Sequence, residues 1–84
     1  MNPRVKNVIP LRGYILDLTF DNGERRRFDC SAHLHYECMA ALKDVSYFNQ
    51  PFVRYGTVGW PEGEDICPDE LYECSEPLPL KSFE

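Results

Sequence analysis

Hydrophobic and polar positions alternate most regularly over "YILDLTF" (14–20). Tyr14, Leu16, Leu18 and Phe20 fall on one face, and Asp17 and Thr19 fall on the other. Period-two alternation predicts a strand with one face buried. "RVKNVIPL" (4–11) predicts a strand before it, placed at a sheet edge because Pro10 has no N–H to give to a ladder. Arg12-Gly13 predicts the tight turn between the two. "ERRRFDC" (24–30) predicts a third strand, with Arg26, Phe28 and Cys30 on one side and Arg25, Arg27 and Asp29 on the other.

The pairing of the second and third strands follows from which sides are apolar. Opposed residues of an antiparallel pair share a face. A two-residue Asn22-Gly23 turn would set Asp17 against Phe28 and Leu18 against Arg27. A three-residue loop, Asp21-Asn22-Gly23, sets Leu16 against Phe28, Leu18 against Arg26 and Tyr14 against Cys30. Only the second register brings the apolar sides together, and a slip of one residue would turn every side chain over. Gly23 then takes the left-handed position that closes a three-residue hairpin.

Past Cys30 the alternation stops. "SAHLHYECMAAL" (31–42) predicts a short helical turn capped by Ser31. "KDVSYFNQ" (43–50) predicts one or two helical turns, with Asp44 as the cap and Tyr47 and Phe48 inward. "FVRYGTVGW" (52–60) predicts a second hairpin turning at Tyr55-Gly56, with Val53, Val58 and Trp60 on one face. "PEG" (61–63) predicts a further turn at Gly63. In "ICPDELYECS" (66–75), Pro68 suits the first position of a helix. Asp69 and Glu70 suit its positive end, and Leu71 and Tyr72 can pack inward. The expected organisation is one domain over residues 1–75 and an extended or frayed tail over 76–84, where two prolines interrupt any period.

Composition sharpens this picture in two ways. Hydrophobic residues make up 43% of the chain, too many for a disordered segment. Apolar runs are too short for a membrane-spanning helix or the core of a signal peptide, and a cytoplasmic location is the expectation. Net charge is −5 and its distribution is uneven. Residues 1–54 hold eight Lys/Arg against six Asp/Glu, while residues 62–84 hold one Lys against eight carboxylates. The acidic end argues against nucleic acid and would attract a basic protein. The four cysteines, Cys30, Cys38, Cys67 and Cys74, are expected as free thiols in a reducing compartment.

The landmarks "LDLTFDNGERRRFD" and "YGTVGWPEGEDICPDELYE", preceded by "NPRVKNVIPL", resemble those of a family of short bacterial proteins of unknown function, DUF2442. The likeness runs over roughly residues 3–74. It is most specific from Gly56 to Tyr72, where Trp60, Pro61, Gly63, Asp65, Pro68, Leu71 and Tyr72 stand in the family pattern. The resemblance implies a small α+β domain with strands first and a short helix near the end. It implies no particular activity. Members of this type are suspected antitoxins or partners of a small protein encoded nearby.

Each conspicuous residue has both a chemical and a structural reading. Trp60 is simplest as a core anchor, Gly23 and Gly63 as turn formers, Pro68 as a helix start, and Tyr72 as inward packing. Cys30, His33, His35 and Cys38 in "CSAHLHYEC" are zinc-ligand types. Their separations do not match the usual Cys-x(2–4)-Cys and His-x(3–5)-His pairs, and Cys30 reads as a small core hydrophobe. Arg25 and Arg27 share one face of a strand, where pairing with Asp17 or Asp29, or plain solvation, is expected.

The sequence thus leads to an α+β domain, a small mostly antiparallel sheet of two hairpins with one or two short helices. The expected function is a non-catalytic interaction module, antitoxin-like or a subunit adaptor, without a cofactor. Its partner face would be Glu64, Asp65, Asp69, Glu70 and Glu73. A homo-oligomer is a further expectation; nucleic acid and membrane are not expected partners. The alternative is a metal- or ligand-binding protein using Cys30, His33, His35 and Cys38.

Overall fold

A computed structural model describes residues 2–78. The chain forms an α+β domain with two antiparallel sheets. The first has the order β1-β2-β3-β7, from Val5–Leu11, Ile15–Phe20, Arg25–Asp29 and Glu76–Pro77. The second has the order β4-β5-β6, from Phe52–Arg54, Thr57–Gly59 and Asp65–Ile66. Two 3₁₀ segments, Ser31–His33 and Glu37–Lys43, lead into α1 (Val45–Phe48), and α2 (Pro68–Glu73) precedes β7. The two expected hairpins are present. They lie in separate sheets because β1 extends the first into a meander and β6 extends the second.

The β2–β3 register is Leu16 opposite Phe28 and Leu18 opposite Arg26. Gly23 closes the loop with φ +91°, and its N–H bonds Phe20 O at 2.9 Å. The buried face therefore sets the turn, as hydrophobic pairing requires. Tyr14 departs from the expected strand. It has φ +64°, follows Gly13 in the β1–β2 turn, and still accepts the Cys30 N–H at 2.8 Å.

Asp17, assigned by alternation to the solvent face, is only 6% exposed. It lies between Ile9 of β1 and Arg27 of β3, and the Arg25 guanidinium closes over it at 2.6 Å. Ser31 does not cap the helical turn that follows. The Asp29 carboxylate performs that role by accepting the Ser31 N–H at 2.9 Å. Asp44 does cap α1, accepting the Ser46 N–H at 3.0 Å.

The core holds Leu16, Leu18, Phe20 and Phe28 from the first sheet, and Val58 and Ile66 from the second. Leu42, Phe48, Trp60 and Leu71 fill the space between. Trp60 is wholly buried, and its Nε1–H donates to Phe48 O at 3.0 Å, so neither its apolar body nor its polar tip is left uncompensated. Burial, aided by Asp29, pushes the Cys30 thiol up to about 12. The β4–β5 hairpin turns at Tyr55 (φ +51°) and Gly56 (φ +79°). A Cβ at Gly56 would lie 2.5 Å from Arg4 Nη1, because the Arg4 side chain crosses this turn and donates to Tyr55 O at 2.8 Å. Val5 N–H bonds Gly56 O at 2.9 Å and ties the tip of this hairpin to β1.

The segment from residue 76, expected as a tail, is extended but paired. Arg26 faces Pro77, Arg27 faces Glu76, and Leu78 N–H reaches Arg25 O at 3.0 Å. The remainder of that expected tail, residues 79–84, lies outside the described residues. Among the described residues no helix is long and apolar enough to cross a membrane.

Candidate functional site

Two regions collect unusual side chains, and both are products of how the strands end. The first lies along β3, β7 and α2. Arg26 occupies an inward position opposite Leu18, where a free guanidinium would be costly. Its Nε donates to Ser75 Oγ and one Nη to Ser75 O, each at 2.7 Å, and the other Nη reaches Glu24 at 3.1 Å. The guanidinium also lies over the Tyr72 ring, 4.4 Å from its centroid. The Tyr72 hydroxyl donates to Glu24 at 2.8 Å. That bond and the Asn22 amide hold the Glu24 carboxyl below its ordinary value; the same bond to Glu24, with burial, raises the Tyr72 phenol.

Of the five acidic residues named from sequence, four have an internal partner. Glu70 accepts from His33 Nε2 at 2.5 Å. Glu64 accepts from the Tyr47 hydroxyl at 2.5 Å, and burial followed by that bond raises the Tyr47 phenol. Asp69 and Glu73 both accept from the Asn2 amide, at 3.2 and 3.0 Å. Asp65 is exposed and lines a shallow hollow of about 270 Å³ with Glu62, Glu64 and Cys38. These carboxylates therefore tie the 3₁₀ region, α1 and the N-terminal residues to the last third of the chain.

The zinc-ligand types do not converge. Cys30 is buried in the core, while Cys38 and His35 are exposed. The His35 ring lies against Tyr36, with centroids 4.2 Å apart. His33 has one ring nitrogen on Glu70 and the other buried without a partner among the described residues. No group of three or more His, Cys, Asp or Glu side chains among the described residues is placed to hold a metal ion. All four cysteines are free.

The second region was not singled out from sequence. A cleft of about 650 Å³ opens where β1 turns into β2 and faces α1. Residues 9–14 form one wall, and Val45, Phe48 and Asn49 form the other. Ile9 and Leu11 face one side of the sheet and Pro10 the other, because Ile9 pairs with Asp17, Leu11 with Ile15 and Pro10 with Leu16. A cleft lined by all three lies on the strand edge itself. Tyr14 and Phe48 meet edge to face at 5.2 Å in its floor, and the Tyr14 hydroxyl donates to Lys43 O at 2.6 Å. At the rim, Ile9 is 48% and Val45 57% exposed. The available signal was Ile9 and Val45 themselves, two apolar residues with no place in either buried stripe. What brings them together is tertiary packing.

The family described as "Protein of unknown function (DUF2442)" matches the chain over residues 5–77 of 84. No curated protein and no solved structure matches it.

Proposed function

We propose that this chain, which belongs to the DUF2442 family of proteins of unknown function, is a non-catalytic protein-interaction module that engages its partner through the cleft between β1 and α1. The observation that carries this reading is the pair of exposed apolar residues, Ile9 and Val45, at the mouth of a cleft with an aromatic floor. A mostly apolar concave site with exposed apolar residues in its lining is a candidate for recognition. The carboxylates from 64 to 73 support a second role. Most hold the protein's own segments together, so their charge acts on a partner at long range while the contact is made elsewhere. An antitoxin-like or adaptor role fits a module of this kind.

The test places a photo-crosslinking amino acid at position 45, in the cleft, and in separate proteins at 35 and 69. Expression in the native host is followed by reconstitution with the purified, identified protein. A partner captured from position 45 and not from 35, and bound again after purification, is the expected result. Capture from position 69 alone would transfer the interface to the acidic face. No discrete product from any position would overturn the reading.

A further inference from the structure

On that reading of the cleft as a partner site, we infer that its occupant is an extended peptide segment of a partner protein, carrying an aromatic or aliphatic anchor beside a carboxylate. Three features of the cleft select this chemistry. Its lining is mainly apolar: Ile9, Pro10, Leu11, Val45 and Phe48 offer a slot for one or two hydrophobic side chains. The cation in the lining is Arg12, exposed at the turn, and among the described residues it makes no ion pair. Asp44, which precedes the facing wall in sequence and is not part of the lining, is turned to the Ser46 N–H that it caps. An anchor seated against Phe48 with an acidic neighbour at Arg12 would complete both.

The strand edge explains why a peptide fits better than a compact metabolite. In β2 the even residues bond toward β3, as the Phe20–Glu24 and Tyr14–Cys30 bonds establish. The odd residues therefore bond toward β1, through Asn7, Ile9 and Leu11. Val8 and Pro10 then direct their main-chain groups away from β2. At the cleft this leaves the Pro10 carbonyl as an acceptor, and the missing N–H of Pro10 leaves no donor beside it. A short extended segment can donate one main-chain bond to that carbonyl and place alternate side chains into the slot. The same proline stops a long strand from adding to the edge, and at its other end the edge is met by Gly56.

The experiment is an NMR titration of the full ¹⁵N-labelled chain with three capped hexapeptides: acidic-apolar DFELDF, basic-apolar KFKLKF, and acidic DGESDG without an anchor. The expected result is that the first peptide shifts amides within residues 9–14 and 45–49, with affinity about tenfold or more above the other two. Arg12→Glu should erase or reverse the preference between the two apolar peptides while leaving the spectrum folded. Equal binding of the acidic and basic peptides, shifts confined to other residues, or no shifts overturn the inference. Concentration-dependent shifts at the same amides without peptide would assign the cleft to a second copy of the chain and overturn it as well. The crosslinking experiment reads the module separately: a verified partner captured at position 45 with no acidic-apolar preference sinks the peptide chemistry alone.

Discussion

The two sides of the β1-β2-β3 meander meet the same physical problem in opposite ways. At β3 the chain closes the edge with itself: β7 pairs there, and Arg26, Glu24, Tyr72 and Ser75 join the closure by directed polar bonds. At β1 the beginning of the edge is met by the Tyr55-Gly56 turn, and its second half opens into the apolar cleft. One side is closed by charge and hydrogen bonding within the chain. The other is left with apolar surface, one carbonyl and one cation. The contrast sets a closed edge against an open one along a single sheet.

The largest effect is expected where the two regions share a foundation. Trp60 lies behind Phe48, which floors the cleft, and Trp60→Ala should cost about 3–5 kcal/mol in chemical denaturation. A loss below about 1 kcal/mol would mean that the cleft floor does not depend on the core. Next comes the closed edge. Arg26→Ala should cost about 2–3 kcal/mol, since it leaves the Ser75 carbonyl and hydroxyl oxygens without their donor and strips one of three donors from Glu24. Arg26→Lys should recover little, because an ammonium cannot reproduce the fork to Ser75 or the flat contact with Tyr72. Full recovery with lysine would show that charge alone matters there.

A smaller effect should appear with pH. The Glu24 carboxyl is held below its ordinary value in the folded protein, chiefly by the Tyr72 hydroxyl. The unfolded chain therefore takes up the proton first as pH falls. The contribution of this group is complete above the ordinary carboxylate range and is lost as pH drops through the depressed folded value. Tyr72→Phe should shrink that acid limb in a pH series of denaturation midpoints; an unchanged limb would place the acid sensitivity elsewhere. The smallest effect belongs to the open edge. Val45→Ser should change stability by no more than about 0.5 kcal/mol while weakening partner capture. A clear stability loss would make Val45 part of the core and blur the contrast.

What the sequence disclosed followed the range of the interactions involved. The Leu16–Phe28 register was legible because strand period and loop length are local quantities, and the Asp44 cap and Pro68 start were legible for the same reason. The pairing of Asp17 with Arg25 was among the expectations, but its burial was not legible, because the cover comes from the neighbouring strands on both sides. Arg26 was placed on the inward face, but nothing local indicates that Ser75, 49 positions later, would receive it. β7 was hidden too, since a two-residue strand has no period to read. The acidic cluster was visible as charge, while its engagement by Asn2, His33 and Tyr47 depends on distant segments. The cleft lies furthest from sequence, arising only when the β1–β2 turn is packed against α1.

The closing strand β7 also bears on how the protein is made. Its partners, Arg26 and Arg27, leave the ribosome long before Glu76 and Pro77 do. Until Glu76 and Pro77 emerge, the nascent chain must carry the inward Arg26 side chain without Ser75 and the β3 edge without its cover. Such an edge is a template for pairing with another chain, so the interval between synthesis of β3 and arrival of β7 is a window of vulnerability to misassembly. Contacts between distant segments are also slow to form, so the docking of β7 should come late in folding. An edge that is closed in the finished fold is thus open for part of the chain's synthesis.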